Sequence, residues 1–284
     1  MNPKLRELAG YPVPIRLGAF ILALAVVWLP FAAILYGAAR RLNGDSPEVE
    51  NALTIAVMGL LFIEFLIGVR YWARGVHGIS HPLKHYGLGG SRQNAQELFG
   101  GLGLGMSLTL SLFALQGLFG WVAWQSASLP LPQLLAEGFL SALGIGFAEE
   151  LVFRGWLLDE LRYDYRPGQV LWGNALIFAV LHFLKPLAEI LQSLPTFGSL
   201  VVLGLTLVWA KRATRDRLGL SIGLHAGLVW GYYIINVGQL IQYTDRVPSW
   251  VTGIDGNPLA GVMGFGFLIA IALAMQKWAS LSLH

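Results

Sequence analysis

Long apolar runs dominate this sequence and restrict the folds open to it. Eight of them lie near the ~20 residues that a helix needs to cross a bilayer, at about 17–38, 51–72, 99–124, 134–158, 168–184, 197–211, 217–237 and 258–277. The chain is 55% hydrophobic and only 12% charged, far from the balance of a soluble domain. The sequence therefore predicts an all-α, polytopic membrane protein of about eight transmembrane helices, with residues 1–284 forming a single integral membrane domain.

Lysine and arginine are distributed unevenly between the connecting loops. With a cytoplasmic N-terminus, fourteen of the 19 basic residues fall on the cytoplasmic side and four on the other. The positive-inside bias then predicts that both termini are cytoplasmic, and a bacterial inner membrane is the default location. The net charge of +3 is small and gives no reason to expect nucleic-acid binding. The absence of cysteine excludes disulfides, cysteine-ligated metals and thiol nucleophiles.

Three charged side chains interrupt the fourth apolar run, in the stretch "GFAEELVFRGW". An ionised group at mid-helix costs about 2.5–3.5 kcal/mol on insertion scales, so Glu149, Glu150 and Arg154 must face protein or water. On an α-helix Arg154 lies ~40° from Glu150 and ~140° from Glu149, which predicts a Glu150–Arg154 pair and leaves Glu149 free. A purely structural ion pair and a functional site are both open at this point.

Histidines in two other apolar runs favour the functional interpretation. His182 lies in "IFAVLHFLKP" and His225 in "SIGLHAGLVWG". With a carboxylate on a third helix they supply what water activation requires: a base, an imidazole that shares the proton, and a donor for oxyanion charge. Serine chemistry has less support, because Ser221 lies one turn before His225 without a carboxylate–histidine–serine pattern around it.

The order of these motifs resembles a known family. "EELVFR" matches an EExxxR motif, "FAVLH" an FxxxH motif, and His225 a third motif histidine of the CAAX prenyl protease and bacteriocin-processing (CPBP, or ABI) family of intramembrane glutamic endopeptidases. The resemblance covers about residues 95–240. It implies a helical chamber open to the cytosol, a membrane-associated protein or peptide as substrate, and hydrolysis without a cofactor.

The resemblance also implies roles for individual residues. Glu149 is expected to be the general base, with His182 helping to activate water. Glu150 and Arg154 are expected to hold the motif helix in register, and His225 to donate to the oxyanion.

The resemblance extends to the substrate pocket, with one departure. Phe178 is expected to shape the pocket one turn before His182. The family often has asparagine four residues after the third-motif histidine, but this chain has Val229, which donates nothing. Tyr232, seven residues after His225 and on nearly the same helical face, is a candidate substitute donor.

Other functions stay open from the sequence. A zinc metalloprotease would use His182, His225 and one glutamate as ligands, a chemically acceptable set. The Val229 departure keeps open a non-catalytic member that binds or escorts membrane proteins. A proton-coupled transporter built on Glu64, Glu149 and Glu150 is a weaker interpretation, since no half-to-half symmetry supports it.

A glycine ridge marks the seventh apolar run. Its glycines recur every four residues, at Gly219, Gly223, Gly227 and Gly231. Small residues at this spacing lie on one helical face and allow a neighbouring backbone to approach closely. The pattern predicts a tight helix–helix contact along this span.

Overall fold

The computed structural model describes residues 3–43 and 46–282, and helices make up almost all of their regular structure. The chain divides into two compact units, residues 1–85 and 86–284. Residues 1–2 and 283–284, the ends that the charge bias assigns to the cytoplasm, lie outside the described residues.

The first unit is a helical hairpin with short flanking helices. Its helices are α1 (Pro3–Glu7), α2 (Val13–Asn43), α3 (Pro47–Gly75) and α4 (Pro82–His85). The two long helices pack against each other, and the Phe20 ring meets the edges of Phe65 and Trp72 at centroid distances of 6.1 and 5.3 Å. Aromatic pairs prefer this edge-to-face geometry.

The second unit contains the remaining helices and two short strands. In chain order they are α5 (Arg92–Leu118), β1 (Val122–Trp124), α6 (Leu131–Glu150), a π-helical segment (Leu151–Leu157), α7 (Leu158–Asp164), α8 (Pro167–Leu181), α9 (Leu187–Ser193), α10 (Phe197–Ala213), α11 (Gly219–Val237), β2 (Ile241–Tyr243), α12 (Ser249–Thr252) and α13 (Val262–Leu281). The strands pair antiparallel with Val122 opposite Tyr243 and Trp124 opposite Ile241. This small ribbon is an addition to the predicted all-α architecture, which is otherwise confirmed.

Among the described residues, seven helical stretches are long and apolar enough to cross a membrane. They are Val13–Arg41, Val49–Gly75, Arg92–Leu118, Leu131–Asp164, Leu187–Ala213, Gly219–Val237 and Val262–Leu281. The one predicted span that is not among these seven, 168–184, is the fifth in chain order and corresponds to α8, which has only 15 residues. At ~1.5 Å per residue this helix is shorter than the ~30 Å hydrocarbon core. The chain is a polytopic helical membrane protein in which the helix of this apolar run ends early, at Leu181, directly before His182.

The glycine ridge forms the contact between α11 and α5. A Cβ atom at Gly223 would lie 2.8 Å from the Leu102 nitrogen, and one at Gly227 would lie 2.8 Å from the Met106 nitrogen. The opposing helix contributes Gly101, where a Cβ would lie 2.6 Å from the Leu220 carbonyl oxygen. The predicted close approach is therefore confirmed, and it fixes the helix that carries His225.

Candidate active site

The helix that carries the acidic pair changes its winding directly after that pair. Glu149 and Glu150 are the last residues of α6, and the π segment begins at Leu151. The Leu158 N–H donates to the Phe153 carbonyl, five residues earlier, as a π-helix requires. π-Helical turns are rare and occur frequently at functional sites. The helical winding therefore changes immediately after the two carboxylates.

Glu150 is the centre of a buried charge cluster. Its Oε1 accepts from Arg154 Nη1 at 3.0 Å and from His225 Nδ1 at 2.9 Å, and Glu150 and Arg154 are both fully buried. The predicted Glu150–Arg154 pair is thus present. The contact with His225 was not predicted from the sequence, and it links α6 directly to α11.

Glu149 points in a different direction from Glu150 and approaches both histidines. Its Oε2 lies 3.8 Å from His182 Nε2 and 3.9 Å from His225 Nε2. Both distances exceed a direct hydrogen bond and suit bridging through one water molecule. The side chains of Glu149 and His182 are 31% and 32% exposed, whereas that of His225 is 6% exposed. The structure therefore brings together the three residues expected to activate water and stabilise the oxyanion.

The end of α8 sets the orientation of His182. Phe178 lies among the last four residues of α8, whose carbonyls lack a partner in an ordinary helix. His182 Nδ1 lies 2.8 Å from the Phe178 oxygen. Because a carbonyl only accepts, Nδ1 carries the proton in the neutral ring and Nε2 presents its lone pair towards Glu149. A histidine placed just beyond a short helix is thereby held as a proton acceptor.

Small residues bring α6 close enough to α11 for these contacts. Gly146 lies one turn before Glu150, and a Cβ there would lie 3.1 Å from the Ala226 Cβ and 3.1 Å from the Ile222 oxygen. Close packing at this level places the carboxylates of α6 opposite the imidazole of His225.

A cavity of about 290 Å³ opens from the three water-activating residues. Glu149, His182 and His225 line it together with Val229 and Tyr232. The rest of its wall is mostly aliphatic and includes Leu108 and Leu112 of α5, Leu200 and Leu203 of α10, and Leu268 and Ile271 of α13. A largely apolar cavity with a few converging polar groups is the usual form of a ligand site.

The residues expected in the pocket occupy different positions. Val229 and Tyr232 lie on the cavity wall, and the Tyr232 hydroxyl accepts from Asn236 Nδ2 at 2.6 Å. Phe178 is fully buried and lies behind the wall. Its ring stacks on the Arg154 guanidinium at 4.2 Å and packs 4.5 Å from the His182 ring. Phe178 therefore supports the charged residues from behind and does not contact the cavity, as a pocket-shaping residue would.

Two buried donors lie next to the site; the sequence favours an interhelical hydrogen bond for Asn174, whereas sequence reasoning missed Lys211. Lys211 is 2% exposed and donates from Nζ to the Arg154 carbonyl at 2.6 Å. Asn174 is fully buried and donates from Nδ2 to the Phe153 carbonyl at 2.7 Å. The sequence carries only a weak signal for Lys211, because a basic residue at the end of an apolar run looks like an ordinary cytoplasmic anchor.

The structure also bears on the alternative chemistries. Ser221 is fully buried, and its hydroxyl donates to the Leu207 carbonyl at 3.1 Å, so it is not presented to the cavity. Among residues 3–43 and 46–282, no group of three histidine or acidic side chains is arranged to hold a metal ion. Glu64 lies on α3 of the first unit, whereas residues of the second unit line the cavity.

Comparison with known proteins gives one informative match. The family model described as "Type II CAAX prenyl endopeptidase Rce1-like" matches residues 131–232. The match begins at the start of α6 and ends at Tyr232, so it includes every residue that the sequence assigns to the peptidase site. No curated protein and no solved structure matches the chain. The family match agrees with the resemblance drawn from the three motifs, and it supports a peptidase of the CAAX protease type.

Proposed function

We propose that this chain, which matches the Rce1-like CAAX prenyl endopeptidase family over residues 131–232, is an intramembrane glutamic endopeptidase. Its substrate would be a membrane-associated protein or peptide that enters the apolar cavity. The convergence of Glu149 Oε2 on the Nε2 atoms of His182 and His225, at 3.8 and 3.9 Å, carries this proposal.

In the proposed reaction Glu149 and His182 activate one water molecule. The Glu149 carboxylate takes one proton from the water, while the other O–H of the water donates a hydrogen bond to the His182 Nε2 lone pair. The water oxygen attacks the scissile carbonyl carbon and forms a tetrahedral intermediate. When the C–N bond breaks, Glu149 returns the proton to the leaving amine. No covalent acyl-enzyme forms, because the nucleophile is water and not a side chain.

His225 is proposed to stabilise the oxyanion as an imidazolium. Its Nδ1 donates to the Glu150 carboxylate, so Nε2 donates to substrate only when the ring carries a second proton. The Glu150 carboxylate lies 2.9 Å from Nδ1, where it would balance the positive charge of that imidazolium. Glu150 thus has a role beyond holding the helix in register.

The proposal is tested with a membrane-tethered peptide reporter and the purified full chain in lipid nanodiscs. Glu149→Gln is nearly isosteric and removes the base, so we expect turnover to fall by at least ~10², the lower end of typical general-base effects. The melting midpoint should stay close to that of the unsubstituted protein, because Glu149 has no direct ion pair within hydrogen-bond distance.

The matched control is Glu137→Gln on the same helix. Glu137 is exposed and accepts from Gln133 at 2.9 Å, away from the cavity. This variant should cleave at the unsubstituted rate. If Glu149→Gln keeps full activity, or if no reporter is cut by the unsubstituted protein, the proposed function is wrong.

A further inference from the structure

The π segment is held from outside by two neighbouring helices. Lys211 of α10 donates to the Arg154 carbonyl at 2.6 Å, and Asn174 of α8 donates to the Phe153 carbonyl at 2.7 Å. Phe153 also accepts from the Leu158 N–H within the segment. A carbonyl has two lone pairs, so side-chain donors add to the helical bonds and favour the winding in which these oxygens are accessible.

Lys211 is buried, although the residue that follows it is partly exposed. It is 2% exposed, at the end of α10. The next residue, Arg212, remains partly exposed and donates to the Pro167 carbonyl at 3.0 Å. Burying an ammonium away from water is costly unless it is hydrogen-bonded. The burial of Lys211 therefore points to a specific task at the Arg154 carbonyl.

α10 contacts Arg154 at its backbone carbonyl and at its guanidinium. Lys211 binds its carbonyl, and the Gly204 carbonyl accepts from its Nη2 at 3.2 Å. The same guanidinium binds Glu150, which in turn binds His225. A continuous chain of contacts thus runs from Lys211 to the imidazole of the candidate site.

The winding of the π segment sets the direction of the two carboxylates. A π turn holds about one residue more than an α turn, and each residue of an α-helix turns the chain by ~100°. If the segment rewound as a regular α-helix, Glu149 and Glu150 would rotate by about that angle relative to α7. Either α6 or α7 would then have to leave its present contacts, and for α6 these include the contacts of Glu149 and Glu150 with the histidines.

We propose that Lys211 is a positioning residue for the catalytic carboxylates. By binding the Arg154 carbonyl it maintains the π winding, which directs Glu149 towards the cavity and Glu150 towards Arg154 and His225. The effect on catalysis rests on the proposed function, whereas the effect on the π segment does not.

The test compares Lys211→Met with Arg212→Met, which removes the neighbouring cation and leaves the π segment untouched. We measure kcat and KM on the monodisperse fraction, together with amide hydrogen exchange over residues 151–158. Lys211→Met should lower kcat by ~10–100-fold, the effect of a small misplacement of catalytic groups, with KM changed by less than about threefold. Exchange in the segment should become at least about tenfold faster, since local opening governs exchange. Arg212→Met should leave kcat, KM and the exchange over residues 151–158 unchanged.

Rescue separates positioning from simple packing. Lys211→Arg retains a donor and should recover most of kcat, and Lys211→Gln serves as the second donor-retaining variant if Lys211→Met does not yield monodisperse protein. A lower melting midpoint with unchanged kcat per folded molecule would overturn the proposal, as would a lower kcat with unchanged exchange. If the unsubstituted protein cuts no reporter, the proposed function fails by itself, and unchanged exchange in Lys211→Met would still overturn the π-segment role.

Discussion

At the scale of single residues, neighbouring glutamates have opposite surroundings. Glu150 is fully buried and shares one oxygen between Arg154 and His225, whereas Glu149 faces the cavity. Glu150 is thus engaged by two donors, whereas Oε2 of Glu149 lies 3.8 and 3.9 Å from the two histidines, far enough for a water molecule to take part. These contacts support the proposed division of roles, which predicts different losses on substitution.

Glu150→Gln should lose stability and activity together. The substitution leaves Arg154 buried without a counter-charge, which costs about 3–5 kcal/mol for a buried pair. We expect a clearly lower melting midpoint and a lower yield of folded protein, in contrast to Glu149→Gln, when both are measured in the same detergent. A Glu150→Gln protein that is fully stable but inactive would contradict this division.

Val229 stands where the family that this sequence resembles often carries a donor, and Tyr232 is the candidate substitute. The Tyr232 hydroxyl accepts from Asn236, so its own hydrogen is free to donate into the cavity. Because one oxyanion donor is typically worth ~10²–10³ in rate, Val229→Asn should raise kcat and Tyr232→Phe should lower it, each by at least about tenfold. If neither variant changes kcat, oxyanion stabilisation depends on His225 alone or the chain is a non-catalytic member.

At the scale of elements, the contact between α5 and α11 leaves no room for a methyl group. At Gly223 a Cβ would approach backbone atoms of Leu98 and Leu102, whereas at Gly103 on α5 no atom lies within 4 Å of an added Cβ. Gly223→Ala should therefore destabilise the protein by about 1–3 kcal/mol through overpacking. The control Gly103→Ala should be neutral or slightly stabilising, because alanine favours a helix by about 0.5–1 kcal/mol over glycine. Melting midpoints check both, and equal midpoints for the two variants would contradict the tight contact.

Sequence patterns predicted the elements that depend on local composition, and missed those that depend on distant partners. The apolar runs, the glycine ridge and the Glu150–Arg154 spacing are local, and the structure contains all three. The π segment is different, because the donors that bind its carbonyls come from residues 174 and 211 on other helices. The Glu150–His225 bond joins residues 75 positions apart, so no local periodicity reveals it.

At the scale of the whole molecule, treatment with a chelator distinguishes a metal-free enzyme from a zinc-dependent one. A metal-independent enzyme should retain its full cleavage rate after prolonged treatment with a strong chelator, since Glu149 itself acts as the base. The measurement is reporter cleavage before treatment, after it, and after zinc is added back. A complete loss that zinc alone restores would favour a metal held by His182, His225 and a glutamate.

The apolar cavity has a practical consequence for handling this protein. Its wall is mostly aliphatic, with charge concentrated where Glu149 meets the histidines. A single-chain surfactant has the same layout, a hydrocarbon tail with one polar head, and burying each methylene of its tail yields roughly 0.8 kcal/mol. We therefore expect solubilising surfactants to compete with substrate for this cavity, so that a loss of cleavage on extraction from the membrane should be reversed when the surfactant is exchanged for lipid.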